Sequence, residues 1–242
     1  MADFPWHQNY PQGVAKEIDP DKYSSLVAIL EESFQKFANK PAYSNMGVEL
    51  TYQQLDEHSK SFAAYLQSLG LKKGDRLGIQ MPNVLQYPVV LFGALRAGLI
   101  VVNVNPLYTV REMVHQYNDA GVETVVILAN FADKLQQALP ETKIKNVIVS
   151  EIGDMLGTIK GLLVNTAVKY FKKMVPAFRI PGMLRLKDTL RKGRSMSFNA
   201  PTLVNTDTAF LQYTGGTTGV SKGATLSHRN IVANLTQNKE WF

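Results

Sequence analysis

The chain has 242 residues, 45% hydrophobic and 19% charged, with 17 Gly and 11 Pro; that is enough apolar material for one large or two small globular cores, and it excludes a disordered tail, a collagen or a mini-protein. No Cys is present, which removes disulfides, iron–sulfur clusters, thiolate zinc sites and thiol nucleophiles. The net charge of +6 is concentrated: residues 155–194 hold ten Lys or Arg against Asp188 alone, a net +9 that leaves the rest of the chain at −3, so the basicity belongs to a patch and not to the fold.

Four histidines at 7, 58, 115 and 228, with no HxxxH or HxH pair, make a histidine-built metal site improbable. The polar and aromatic N-terminus lacks the basic and apolar regions of a signal peptide. No uninterrupted apolar stretch reaches about 18 residues, as a bilayer span requires. The expected location is cytoplasmic, at most peripheral on the inner face of the membrane.

In chain order, an arm at 1–23 precedes a helix whose apolar positions 26, 29, 30, 34 and 37 share one face. Short strands at 42–45 and 48–50 turn at Met46-Gly47, and Thr51 with Gln54 forms a capping box for a helix that Gly70 stops. From Gly74 the pattern becomes regular: strand 76–81, helix 83–97, strand 99–104, helix 109–120, strand 123–128, helix 131–139 and strand 146–150. Successive strand–helix units predict right-handed crossovers in an α/β fold with a largely parallel sheet and flanking helices. This first α/β unit is expected over 24–153.

The order breaks at Gly153. Ile159, Leu162, Leu163, Ala167, Phe171, Met174 and Val175 fall at helical spacing, with Lys160, Lys169, Lys172 and Lys173 between them. Two readings stay open: a surface helix packed on the sheet, or an interfacial helix on anionic lipid, with Lys169, Phe171, Lys172 and Lys173 as membrane contacts. Pro176, Pro181-Gly182 and then 187–194 read as an irregular basic connector that completes the unit 154–200. With no base-stacking platform and no helix-turn-helix pattern, nucleic-acid binding is not expected.

The segment with chemistry runs from Asp207 to Asn230, in the unit 201–242, which reads as the start of a second α/β subdomain. A strand ends near Tyr213, and Thr214-Gly215-Gly216-Thr217-Thr218-Gly219-Val220-Ser221-Lys222-Gly223 leads to a second strand and a helix capped by Ser227. Glycines let backbone N–H groups turn toward an anion, threonines add hydroxyl donors and Lys222 adds a mobile cation. The result is a polyphosphate cradle. It is not a Walker A loop, because Lys222 precedes Gly223 and does not open a helix.

This string resembles the phosphate-loop signature of the AMP-forming adenylating superfamily of acyl-CoA synthetases, luciferases and peptide-synthetase adenylation domains. Met81-Pro82-Asn83, Leu91 to Gly98 and Val101-Val102-Asn103-Val104-Asn105-Pro106-Leu107-Tyr108 are similar to the bacterial long-chain fatty-acid–CoA ligases. Gly215 replaces the commoner Ser or Thr, removing a hydroxyl, and Ser221 replaces the commoner Pro, removing a φ restraint.

The resemblance implies the N-terminal part of the large domain of such an enzyme. A fatty-acid carboxylate attacks the α-phosphorus of Mg-ATP, and CoA then displaces AMP from the acyl-adenylate. The long-chain fatty acid, ATP, Mg2+ and CoA are the implied ligands, and fatty-acid degradation the implied use. Tyr213, Thr214, Gly215, Gly216, Thr217, Thr218, Gly219, Lys222 and Gly223 would hold the ATP phosphates, with Thr214 near Mg2+. No Tyr-Gly dipeptide occurs, so the family's Tyr-Gly-x-Thr-Glu adenine segment is not in this sequence, and its ribose-binding Asp and catalytic Lys are expected beyond the helix that follows the phosphate loop, where this sequence stops. No catalytic residue is identifiable in it. The expectation is about the first 40% of a longer ligase, inactive alone and dimeric at full length. The alternatives are a non-catalytic nucleotide- or membrane-binding module and another AMP-forming adenylating enzyme.

Overall fold

A computed structural model describes residues 4–214 and 221–241. Helix α1 (Leu26–Phe37) starts where the Ala28 N–H donates to Ser25 Oγ. Strands β1 (Pro41–Asn45) and β2 (Val48–Thr51) form an antiparallel hairpin. Met46 and Gly47 both take positive φ, 51° and 68°, the two-residue geometry whose twist matches a hairpin. Helix α2 (Tyr52–Ser68) has the full Thr51–Gln54 capping box, and Gly70 follows at φ 85°.

The central sheet has seven strands: β3 (Arg76–Gln80), β4 (Ile100–Asn103), β5 (Thr124–Leu128), β6 (Asn146–Ser150), β7 (Leu184–Arg185), β8 (Thr208–Thr214) and β9 (Lys222–Ser227). Their order is β7-β6-β5-β3-β4-β8-β9, parallel except for β9, which runs antiparallel to β8. The largely parallel α/β fold is as expected. Within 201–242, where a second unit is expected to open, β8 pairs with β4 in this same sheet.

Alternation along the strands fills two cores. Leu77, Ile79, Val101, Val126, Leu128 and Ile148 face the layer built on α2 and α3 (Gln86–Arg96). Val102, Val125, Ile127, Val147 and Val149 face α4 (Val110–Asp119) and α5 (Ala132–Ala138). Both faces are covered, as parallel sheets require. Helix α3 begins three residues later than its apolar pattern predicts. That start puts Pro88 in the first turn, where the missing N–H costs no helical bond.

Two expectations for 154–200 need correction. The basic helix does not run to Val175: α6 (Thr158–Thr166) passes into a π turn, Ala167–Phe171, and Lys173 at φ 53° ends it ahead of Pro176. The last part of the expected irregular connector, 187–194, lies instead almost wholly in helix α7 (Leu186–Gly193), whose Leu186, Thr189 and Gly193 are buried. Gly193 packs directly on α2. A Cβ there would lie 1.9 Å from the Ser61 carbonyl oxygen. Gly193→Ala must therefore push the two helices apart, and we expect a loss of about 2 kcal/mol, read as a lower urea midpoint; an unchanged midpoint would show that this crossing is not tight.

Helix α8 (His228–Trp241) closes the described chain, with the Asn230 N–H donating to Ser227 Oγ at its start. The N-terminal arm is tied to it: Arg229 pairs with Asp21 at 2.8 Å, and Tyr10 meets the Trp241 ring edge-on. His228 is buried and its Nδ1 accepts the Leu26 N–H at 3.2 Å. Burial lowers the pKa of its imidazole, which suits this acceptor role.

Candidate functional site

Strand β3 lies between β4 on one side and β5 on the other. The chain therefore reverses its direction of winding there, and ligands of open α/β sheets bind beyond the carboxyl ends of strands near such a point. A polar network fills this edge. The Tyr117 hydroxyl donates to Gln80 Oε1 at 2.6 Å, and Gln80 Nε2 donates to the Asn105 carbonyl at 3.3 Å. The Tyr87 hydroxyl donates to Asn103 Oδ1, Asn103 Nδ2 to Gln212 Oε1 and Gln116 Nε2 to the Asn103 carbonyl, all within 3.2 Å. Sequence reading did not single out this network. Its visible signal is a Gln at the end of one apolar strand and an Asn at the end of another.

Strand β8 ends at this edge. Its last pair with β4 is Asn103–Gln212, so Tyr213 and Thr214 project beyond β4. Opposite them run Gly223 and Lys222 of β9, with Tyr213 paired to Gly223 and Thr214 to Lys222 in the final rung. Four of the expected phosphate-binding residues are thus brought together at one end of a ribbon. Gly215, Gly216, Thr217, Thr218 and Gly219 lie outside the described residues.

Thr214 and Lys222 are both exposed, and Lys222 has no ion-pair partner among the described residues. A hydroxyl and an ammonium side by side suit a phosphate or another polyanion. Gly223 is needed for a different reason, because a Cβ there would stand 2.9 Å from Tyr213 Cε2. The ring lies across the glycine and its hydroxyl donates to Asp119 on α4. Burial, helped by that bond, raises the Tyr213 pKa far above the usual tyrosine range. On the neighbouring turn of α4, His115 Nε2 lies 3.3 Å from the Ser221 carbonyl. Among the described residues no group of three or more His, Asp or Glu is placed to hold a metal ion. Thr214 offers a hard oxygen of the type Mg2+ accepts.

The expected lipid-facing residues lie elsewhere, in the π turn that follows α6 and in the residues just after it. Phe171 is 82% exposed, Ile159 77% and Leu162 67%; Leu163, Tyr170 and Met174 are exposed as well. Lys169, Lys172 and Lys173 surround them, also exposed, with the Lys169 ammonium 5.4 Å from the centre of the Tyr170 ring. Among the described residues no helix is long and apolar enough to cross a membrane.

A long-chain-fatty-acid–CoA ligase of Yersinia pestis is 53% identical over 235 residues, covering 97% of this chain and 42% of the relative. One from Escherichia coli O157:H7 is 54% identical over 233 residues, covering 96% and 42%. The chain thus spans 42% of the length of these curated relatives. Among solved structures, a long-chain-fatty-acid–CoA ligase of Archaeoglobus fulgidus has a TM-score of 0.69 at 23% identity, covering 93% of this chain and 40% of its own. MbtA of Mycobacterium smegmatis has 0.72 at 21%, covering 89% and 36%; both show a shared fold. The family of AMP-binding enzymes matches residues 30–242, and the chain belongs to that family.

Proposed function

We propose that the natural protein is an ATP-dependent long-chain fatty-acid–CoA ligase, and that this chain carries its phosphate-binding segment. The observation that supports this most is the Thr214–Lys222 rung at the carboxyl edge of the sheet, in a family of AMP-binding enzymes. A fatty-acid carboxylate oxygen attacks the α-phosphorus of ATP, and the bond to pyrophosphate breaks. The CoA sulfur then attacks the acyl carbonyl and AMP departs. Lys222 would neutralise charge on the leaving pyrophosphate, Thr214, Thr217 and Thr218 would be the hydroxyl donors to the phosphates, and Thr214 would offer an oxygen to Mg2+. Gly215, Gly216 and Gly219 are of the residue type that lets backbone N–H groups face an anion, and Gly223 leaves room for the Tyr213 ring. Such catalysis is positioning and charge neutralisation; Mg2+, when bound, supplies further positive charge to the phosphates.

The test is pyrophosphate exchange into ATP by the natural full-length protein. Exchange that depends on palmitate, with thioester formed on adding CoA, supports the reading. Exchange driven only by other carboxylic acids would make it a different adenylating enzyme, and nucleotide binding without exchange would make it a non-catalytic module. The reading also carries a cytoplasmic location, a homodimer at full length and delivery of acyl-CoA to fatty-acid degradation.

A second reading is favoured by the exposed apolar face of α6 and its π turn. This face fits an anionic membrane surface, where Phe171, Tyr170 and Leu162 enter the acyl boundary and Lys169, Lys172 and Lys173 meet phosphates. Clusters of exposed large apolar side chains mark interaction sites, and each lysine near an anionic surface is worth about 1 kcal/mol. Changing the three lysines to Glu should lower sedimentation with phosphatidylglycerol vesicles by at least about tenfold at low salt. Equal sedimentation would count against membrane contact.

A further inference from the structure

We infer that His115 and Asp119 of α4 are positioning residues that clamp the two stems of the phosphate-binding segment, one on each strand of the ribbon. The inference rests on the proposed ATP-binding role of that segment, and neither residue is part of the sequence signature. The two lie four apart and so share one helical face. Asp119 accepts the Tyr213 hydroxyl, immediately before Thr214. His115 Nε2, as the N–H tautomer, donates to the Ser221 carbonyl, immediately before Lys222. Each anchor therefore acts one residue away from a member of the final Thr214–Lys222 rung.

The ribbon needs such anchors because little else holds it. Beyond the Asn103–Gln212 pair, β8 has no strand neighbour on its β4 side among the described residues, and the first four residues of the edge strand β9 are exposed. A two-stranded ribbon end is marginally stable in water. Helix α4, by contrast, is firmly seated. Its Met113, Gln116 and Tyr117 are fully buried, the Tyr117 hydroxyl is bonded to Gln80 of β3 and Gln116 to the Asn103 carbonyl of β4. The capping box of Thr109 and Glu112 fixes its first turn. The clamp therefore transmits the fixed position of the parallel sheet to an exposed ribbon, and Gly223 lets the Tyr213 ring cross to α4 without a clash. Small misplacements of groups that hold a reacting substrate cost rate steeply.

The natural full-length protein, with His115→Ala, Asp119→Ala, Asp119→Asn and Tyr213→Phe, provides the test. Loss of one anchoring bond should raise the KM for ATP in pyrophosphate exchange by about five- to tenfold. Thioester formation from preformed acyl-adenylate and CoA, which does not require bound pyrophosphate, should stay within about twofold. Asp119→Asn keeps an acceptor and should recover most of the loss. Peptides spanning β8 and β9 should exchange amide hydrogens faster in Asp119→Ala and Tyr213→Phe, while peptides from α2 and α3 do not change. Equal losses in both half-reactions, or an unchanged KM for ATP, would overturn the clamp. If the unaltered protein shows no exchange with any fatty acid, the ligase reading fails. The clamp then stands or falls on hydrogen exchange alone, and unchanged ribbon protection in both variants overturns it.

Discussion

Under the proposed ligase function, Lys222→Ala in the natural full-length protein is expected to cut fatty-acid-dependent pyrophosphate exchange by about 10²- to 10³-fold, the largest functional effect expected among the substitutions considered. The ammonium starts β9, opposite Thr214, and has no carboxylate to neutralise it among the described residues. Its charge would therefore be available, in the proposed role, to the triply and quadruply charged phosphates of ATP and pyrophosphate. Because negative charge on the leaving group grows as the α-phosphorus–oxygen bond breaks, the loss should fall mainly on kcat, with a smaller rise in the KM for ATP. Lys222→Arg keeps the charge but changes its shape and reach, so partial activity is expected. Lys239→Ala, near the end of α8 and remote from this rung in sequence, is the control and should leave exchange unaltered. Transfer of acyl groups from preformed acyl-adenylate to CoA should survive in Lys222→Ala. A loss of exchange below about threefold would remove Lys222 from the phosphate site.

The residues that could be read from the sequence are those whose signal is local. Thr51 with Gln54 and Thr109 with Glu112 form their capping boxes as the spacing predicts. Met46-Gly47 makes the expected hairpin turn, and the strand–helix alternation from Gly74 gives the parallel sheet. The features that were not legible depend on contacts between distant segments. Residues 187–194 look like a charged connector because the partner that makes most of them a helix is the α2 backbone at Ser61, against which Gly193 fits. The pairing of β8 with β4 depends on a strand more than a hundred residues away. At the candidate site, glycine, threonine and lysine are conspicuous in sequence. The residues that hold their stems, His115 and Asp119, are ordinary helix-surface residues until the fold brings the ribbon to them.

Arg96→Met should be the most destabilising single change among the charged residues, and the reason lies in how three helices share one guanidinium. Arg96 ends α3 with its side chain 2% exposed. One nitrogen, Nη2, pairs with Glu31 of α1 at 2.7 Å and also with Asp56 of α2. The other, Nη1, donates to the Asp56 carbonyl at 2.8 Å and to Ser59 Oγ at 3.1 Å, and the guanidinium carbon stands 4.9 Å from the centre of the Phe34 ring. Methionine fills much of the volume but leaves these acceptors without their donor. Breaking a fully buried pair costs about 3–5 kcal/mol; Asp56 and Glu31 are 38% and 49% exposed, so water recovers part of it and about 2–3 kcal/mol is expected. For a chain of this size that lowers the thermal midpoint by about 4–12 °C. Glu31→Gln, which removes one half-exposed partner, should cost about 1 kcal/mol or less. Asp56→Asn should matter less in the Arg96→Met background than alone, because the two groups act as one unit. A midpoint for Arg96→Met within about 1 °C of the unaltered protein would mean that burial of the guanidinium consumes all that its partners return.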